Sequence, residues 1–512
     1  MLRKKLLLAS LLLLSLLALV MVIMYRLNVN TYDNVSGNER LTSRTCNFHY
    51  SSYLNLECFY YKTEKEGGFI LPLALLSPKD AALPKARQDR VLVVYIPGGP
   101  GQGGMVDDPV INDWVAWMAQ HNIQFDLLLF DPRGTKKSIP AFDCDIYQQV
   151  LREVLAKDLA IDKEVDVLNA TLQKCFQRAE LALSKPSSSS TYKRKTLDAF
   201  ASVNQAKDIN GMLAALGYQK AVLWGVSYGS RLALTAADSN RVAGLILESP
   251  YPFSKGVYSD WIRLYIDSFK RHEKVYGKYR ATSISSYHEL YERLLKMLDD
   301  TPIKVDIELW ENDEKVTFLL NSHRLLEVSF SVLYSPHLYQ AFYQGLENYL
   351  FSKKIDHQLM MVLEEHVNYA LANDFSPVVY FATECLDNQV QSDAILDKQQ
   401  ENLIETLPFY QEYFQQGLSN SACSLYPFSQ SLHVQNKKYT NKATLIIVGE
   451  HDPVTPKEWG VELENILTNA EISEIKGGGH ASAKFSQCNW EVLNTFVENN
   501  STDINLQCHW PE

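Results

Sequence analysis

The run Gly225-Val226-Ser227-Tyr228-Gly229 sets a serine between two glycines. The apolar stretch Ala221-Val222-Leu223-Trp224 before it reads as a strand, and the residues through Leu232 and Ala237 after it read as a helix. A G-x-S-x-G turn at such a junction forces the serine into a strained conformation. The flanking glycines let backbones approach, and the helix N-terminus favours negative charge developing at the hydroxyl. The chemistry this suits is acyl transfer through a serine ester. A serine hydroxyl is a weak nucleophile at neutral pH, so it needs a base, usually a histidine held by a carboxylate.

Two downstream segments can supply those groups. Gly449-Glu450-His451-Asp452-Pro453-Val454 follows the apolar run 443–448, which places Asp452 in a loop at a strand end. Gly477-Gly478-Gly479-His480 follows the run 472–475 and places His480 in another. In this reading Asp452 accepts from the imidazole and fixes its tautomer, and His480 takes the Ser227 proton. Glu450 and His451 are the neighbouring competitors. The oxyanion of the intermediate needs two backbone N–H donors. Tyr228, next to the nucleophile, offers one. The loop Pro97-Gly98-Gly99-Pro100-Gly101 offers the other; its prolines lack an N–H, and of the three glycines Gly99 is the expected donor. This chemistry needs no cofactor and no metal.

Positioning these loops requires parallel strands separated by helices. Val91 to Ile96 and Phe125 to Phe130 are continuous apolar runs stopped by Gly/Pro loops, as buried parallel strands are. Residues 54–61 and 69–76 read as earlier strands, and Val242–Leu247 as a later one. Helical spacing covers 145–182 and 203–216. From 251 to 440 the pattern turns helical, with Tyr, Leu, Glu and Lys at turn spacing in 336–352 and 356–373. Strands then return at 443–448 and 472–475, followed by a closing helix at 487–499. A helical block inserted before the last strands would sit over their carboxyl ends, where ligands bind in such sheets. The expected organisation is 1–26 as a signal anchor or signal peptide, 27–45 as a linker, 46–250 as the first part of the core, 251–440 as a helical cap, and 441–512 as the second part of the core.

The chain of 512 residues has a formal net charge of -11, and an acidic balance is the wrong footprint for nucleic acid. Arg3, Lys4 and Lys5 precede an uncharged apolar stretch from Leu6 to Tyr25. Twenty helical residues span roughly 30 Å, enough for a bilayer core. A cleaved signal has a shorter apolar region ending in small residues, which this stretch lacks. The expected location is therefore outside the cytoplasm: anchored to the membrane through this segment, or secreted if it is cleaved. The eight cysteines fit export, with 46–58, 144–175, 385–423 and 488–508 as the simplest pairing by neighbours.

Together these blocks resemble the proline iminopeptidase and tripeptidyl aminopeptidase branch of the α/β-hydrolases. The similar segments are Pro97–Gly101, Asp131-Pro132-Arg133-Gly134, Gly225–Arg231, Gly449–Pro456 and Gly478-Gly479-His480. The resemblance implies an α/β-hydrolase fold: a mostly parallel central sheet flanked by helices, under a large, mainly helical cap. It also implies release of N-terminal residues or tripeptides from peptides. Where the branch carries a second glycine after D-x-R-G, this chain has Lys136. Ala382-Thr383-Glu384-Cys385-Leu386-Asp387 is similar to an Ala-x-x-Cys-x-Asp segment of the tripeptidyl group. An aminopeptidase must hold the substrate ammonium with a carboxylate, and Glu384 and Asp387 are the candidates. The partner is then a peptide or a small acyl substrate. A carboxylesterase or lipase-like enzyme with the same triad, and a catalytically silent binding protein of this fold, are the alternatives. Oligomeric state is left open.

Overall fold

The computed structural model describes residues 40–46, 54–64, 68–79, 86–184, 196–388, 422–428, 439–486, 489–499 and 508–510. The apolar segment within 1–26 lies outside them. Among the described residues no helix is long and apolar enough to cross a membrane.

Ten strands form one sheet: β1 (Leu41–Arg44), β2 (Leu54–Lys62), β3 (Ile70–Pro78), β4 (Val91–Ile96), β5 (Asp126–Phe130), β6 (Lys220–Val226), β7 (Val242–Glu248), β10 (Ala443–Gly449), β11 (Ala470–Lys476) and β12 (Cys508–His509). A separate antiparallel pair, β8 (Ile303–Glu308) and β9 (Lys315–Leu320), lies between β7 and β10 in the chain. The order across the sheet is β1-β2-β3-β5-β4-β6-β7-β10-β11-β12. The first three strands pair antiparallel with one another and β3 pairs antiparallel with β5; from β5 onward every pairing is parallel.

Strict alternation explains why both faces of the sheet are covered. On β4, Leu92, Val94 and Ile96 join one buried cluster, while Val93 joins the other with Trp224, Ile246 and Ile447. Helices α1 (Asp108–Gln120) and α13 (Asn489–Asn499) close the second face through Trp114 and Phe496. On the first face lie α4 (Ser202–Leu216) and α5 (Tyr228–Ala236). Each such aliphatic side chain taken out of water contributes about 1.5–3 kcal/mol.

The helical spacing over 145–182 belongs to two helices, α2 (Asp145–Leu155) and α3 (Ile161–Leu183), pinned together by the Cys144–Cys175 disulfide. Between β7 and β10 come α6 (Val257–Tyr279), α7 (Tyr287–Asp300), α8 (Ser322–Val332), α9 (Tyr339–Ser352), α10 (His357–Ala370) and α11 (Pro377–Asp387). Among its described residues this region is helical as expected, apart from the hairpin β8–β9, which the sequence reading passed over. Helix α12 (Lys457–Ile466) separates β10 from β11.

The expected linker 27–45 is cut short. Leu41–Arg44 pairs with Cys58–Tyr61, and the Cys46–Cys58 disulfide ties its end to β2. The Cys385–Cys423 bridge is also formed, and Cys508 is disulfide-bonded. Its expected partner, Cys488, lies outside the described residues.

Candidate active site

Ser227 caps α5 with φ 55° and ψ −124°, a left-handed backbone that a β-carbon resists. The neighbours hold it there. Its N–H donates to the Glu248 carbonyl (2.9 Å), and its own carbonyl accepts from the Ser230 N–H (3.0 Å) and hydroxyl (2.5 Å). The turn is too crowded for larger residues beside it. A β-carbon at Gly225 would stand 2.3 Å from the Gly229 carbonyl oxygen, and one at Gly229 would stand 2.1 Å from that of Ile96. The two glycines are therefore demanded by packing.

Asp452 follows β10 and is fully buried. One carboxylate oxygen accepts the backbone N–H groups of Val454 (3.0 Å) and Thr455 (2.9 Å). The other accepts the Thr455 hydroxyl (2.9 Å) and His480 Nδ1 (2.9 Å). Burial alone would raise this carboxyl. The His480 charge and hydrogen bond, with the Thr455 N–H, outweigh burial and hold it below the ordinary carboxylate range. With Nδ1 bound to Asp452, His480 keeps Nε2 for other work. Ser227 and His480 line one cavity of about 2240 Å³, with Gly98 and Gly99 on its wall. No hydrogen bond joins the Ser227 hydroxyl to His480 in this structure. Of the two competitors, His451 lies on the cavity wall with its ring 5.8 Å from that of Tyr339, and Glu450 accepts the Gly477 N–H (2.9 Å).

Glu248, the last residue of β7, was not singled out in the sequence. It is buried at 3 % exposure and lies on the cavity wall. One oxygen accepts the Ala483 N–H (2.7 Å) and the other the Trp224 indole (2.9 Å). Ser249 adds a hydroxyl that accepts the Ala481 N–H (3.0 Å). The end of β7 thus grips the chain on the far side of His480. Burial raises the Glu248 carboxyl; the Ala483 and Trp224 hydrogen bonds and the charge on His480 oppose that rise, and the Asp452 charge adds to it. An acidic residue closing an apolar strand run was the available signal.

The glycine loop 97–104 lies against the serine: a β-carbon at Gly98 would come 3.1 Å from Ser227 Cβ. The loop is braced from both sides. Ser376 donates to the Gly101 carbonyl (2.9 Å) and Gly103 to that of Asp374 (2.7 Å). Asp131 accepts the Met105 (2.8 Å) and Lys137 (3.0 Å) N–H groups, and burial pushes its carboxyl up to about 6. Arg133 pairs with Asp208 at 2.6 Å. Lys136 itself takes a positive φ of 37°, with its N–H on Asp143 (3.2 Å), so the lysine adopts a backbone conformation that glycine adopts more readily. Tyr228 opens α5, where first-turn N–H groups have no intrahelical partner. Its hydroxyl lies away from the site, on Ser202 (2.7 Å) and Gln205 (3.0 Å).

Glu384 and Asp387, expected to hold a substrate ammonium, do not line the cavity. Helix α11 turns both inward, at 1 % and 0 % exposure. Asp387 accepts the Ser202 N–H (3.1 Å) and hydroxyl and stands 4.0 Å from Arg231. Glu384 accepts the Tyr251 hydroxyl (2.9 Å) and the Asn388 amide (2.7 Å). Burial dominates both, raising Glu384 to about 7 and Asp387 to about 6 against the opposing pull of Arg231. They are the acids of a sealed cluster around Arg231, one layer behind Tyr251.

Residues 91–485 match the family described as alpha/beta hydrolase fold. The chain is 24% identical over 412 residues to the serine protease Hip1 of Mycobacterium tuberculosis, covering 74% of this chain and 73% of that one. It is 23% identical over 472 residues to the tripeptidyl aminopeptidase of Streptomyces lividans, covering 83% and 81%. Among solved structures it is similar to the proline iminopeptidase of Mycobacterium smegmatis, with 13% identity, a TM-score of 0.34, and coverage of 84% of this chain and 95% of that one.

Proposed function

The chain belongs to the alpha/beta hydrolase fold family, and on that premise we propose that it is a serine aminopeptidase releasing N-terminal residues or tripeptides from peptides. The observation that carries the reading is the strained Ser227 in one cavity with a His480 whose Nδ1 is bound to a buried Asp452. Ser227 Oγ attacks the scissile carbonyl while His480 Nε2 takes its proton. Asp452 holds the tautomer and stabilises the imidazolium. The Gly99 and Tyr228 N–H groups receive the oxyanion. The imidazolium then protonates the leaving amine, and water, deprotonated by His480, releases the acyl group from Ser227. Glu248 acts through the loop it grips and is a positioning residue. The serine and histidine close to hydrogen-bond distance when substrate is seated, as apo sites often require.

The relatives named a serine protease and a tripeptidyl aminopeptidase support peptides as the substrate class. The cavity agrees: it is larger than the roughly 300–1,000 Å³ that suits a single small ligand. The organisation that goes with this reading is a two-part hydrolase core, 46–250 and 441–512, with 251–440 as the cap over the site. The three disulfides with both ends among the described residues, and the bonded Cys508, support an oxidising compartment, with residues 1–26 as signal anchor or signal peptide.

The test is hydrolysis of matched aminoacyl and tripeptidyl amides, each with a free or an acetylated N-terminus, beside short acyl esters. The aminopeptidase reading expects the free-amine peptides to be cleaved far faster than their acetylated forms. Equal rates for both would make the protein a peptidase without amine selection, and cleavage of acyl esters alone would make it a carboxylesterase.

A further inference from the structure

The chain carries an excess of acid, yet its catalytic cavity is lined by four lysines, Lys274, Lys278, Lys476 and Lys484, against two carboxylates, Glu248 and Glu450. The two groups differ in how far they are already satisfied. Both oxygens of Glu248 are taken by N–H donors, and Glu450 accepts the Gly477 N–H. Lys476 pairs with Glu474 (2.9 Å) and Lys484 with Asp113. Lys274 and Lys278 have no carboxylate partner among the described residues.

These two cations belong to one face of α6. Arg271, Lys274 and Lys278 stand at i, i+3 and i+7, so their side chains leave the helix on the same side. Lys274 and Lys278 are exposed to solvent and also line the cavity, which puts them at its rim. Arg271 is more enclosed, at 13% side-chain exposure. Its Nη1 is buried with no hydrogen-bond partner, and its Nη2 is 3.7 Å from the exposed Glu458. The field of the three cations falls on the cavity wall. Burial lowers the His451 imidazole, Glu450 opposes that, and Arg271, Lys274 and Lys278 each push it lower still. A cavity rim with uncompensated positive charge draws and holds anions, and does so in a salt-dependent way.

We propose that Lys274 and Lys278, backed by Arg271, form an anion subsite at the rim of the catalytic cavity that takes a carboxylate of the substrate remote from the bond being cut. The inference rests on the peptidase reading and narrows its substrate class to short peptides with a free C-terminal carboxylate or an acidic side chain. A substrate carboxylate on this rim would fix the far end of the peptide while Ser227 meets the scissile carbonyl.

Three peptides identical around the scissile bond test this: a free C-terminal acid, its C-terminal amide, and an amide with a terminal glutamate side chain. The subsite predicts that kcat/KM for the free acid exceeds that for the amide by roughly tenfold, an advantage that shrinks at high salt. The third peptide tells a terminal carboxylate from a side-chain one as its source. In Lys274→Glu/Lys278→Glu the ratio of acid to amide should fall below one, and because it is a ratio within one preparation, partial loss of folded protein does not alter it. A ratio of one in the wild type, or an advantage that survives the double substitution, overturns the subsite. If no peptide is cleaved but acyl esters are, the peptidase reading fails. The same ratio, measured between acyl esters with and without a distal carboxylate, then upholds or overturns the subsite by itself.

Discussion

Asp452 and Glu384 are both buried carboxylates, at 0 % and 1 % exposure, and both sit in segments that sequence alone marks as functional. Their surroundings drive them in opposite directions. Asp452 is met by two backbone N–H groups, a threonine hydroxyl and an imidazole that opens onto the cavity, and it is held in its charged form. Glu384 is met by a tyrosine hydroxyl and an asparagine amide, has one oxygen without a partner, and is pushed up to about 7 with Arg231 at hand. Burial is common to the two. The difference lies in donors: a loop that wraps its N–H groups around an acid preserves its charge, and a helix that turns an acid into a packed layer works against it. Only the first arrangement leaves a charge fixed beside a mobile proton at the cavity wall.

The largest effect should come from neutralising the first acid. Asp452→Asn should lower kcat by on the order of 10⁴ by losing the tautomer that presents Nε2 to Ser227, while Glu384→Gln should change kcat by less than about tenfold. Steady-state kinetics on one substrate decide it, and comparable losses in the two variants would erase the distinction drawn here. Next comes Glu248→Gln. A glutamine has one carbonyl oxygen for two donors, Ala483 N–H and the Trp224 indole, so the loop bearing His480 loosens. The expectation is a fall of about 10- to 100-fold in kcat with KM nearly constant, since both Glu248 oxygens are taken up within the protein. A change confined to KM would contradict a positioning role.

The smallest effect concerns stability. An acid whose folded pKa is raised binds a proton more tightly folded than unfolded. Its contribution is therefore fully present below its ordinary value and is lost as pH rises through the folded one. For Glu384 that window runs from 4.5 to about 7, and for Asp387 from 3.8 to about 6. Denaturant unfolding of wild type and Glu384→Gln across this range should show the wild type losing stability relative to the variant as pH rises from 4.5 to about 7. A pH-independent difference would mean that Glu384 titrates in the folded protein as it does in the unfolded chain.

Much of this was legible because buried parallel strands leave a direct signature. Val91–Ile96 is an uninterrupted apolar run stopped by Pro97-Gly98, Ala443–Gly449 is apolar but for Thr444 and ends in glycine, and the loops carrying Gly99 and Asp452 follow from them. The serine turn was legible because packing admits only glycine at 225 and 229. What escaped depends on partners distant in the chain. Leu41–Arg44 is short and polar at three of its four residues, and only its pairing with β2 makes it a strand. Ile303–Glu308 does alternate apolar and polar, but helices on both sides masked the change of period. Glu384 and Asp387 have the charge an ammonium needs, yet two acids at i and i+3 do not say which way α11 faces, and Ser202, Tyr251 and Arg231 claim both. Glu248 matters through Ala483, 235 residues further on.

The most direct test is covalent labelling of Ser227. A fluorophosphonate probe reacts only with a serine made nucleophilic by its surroundings. The folded wild type should be labelled stoichiometrically on the peptide containing Ser227 and lose its hydrolytic activity. Ser227→Ala should take up no label and retain less than about 10⁻⁴ of the rate. A labelled, active Ser227→Ala protein would contradict the assignment of the nucleophile and with it the catalytic account.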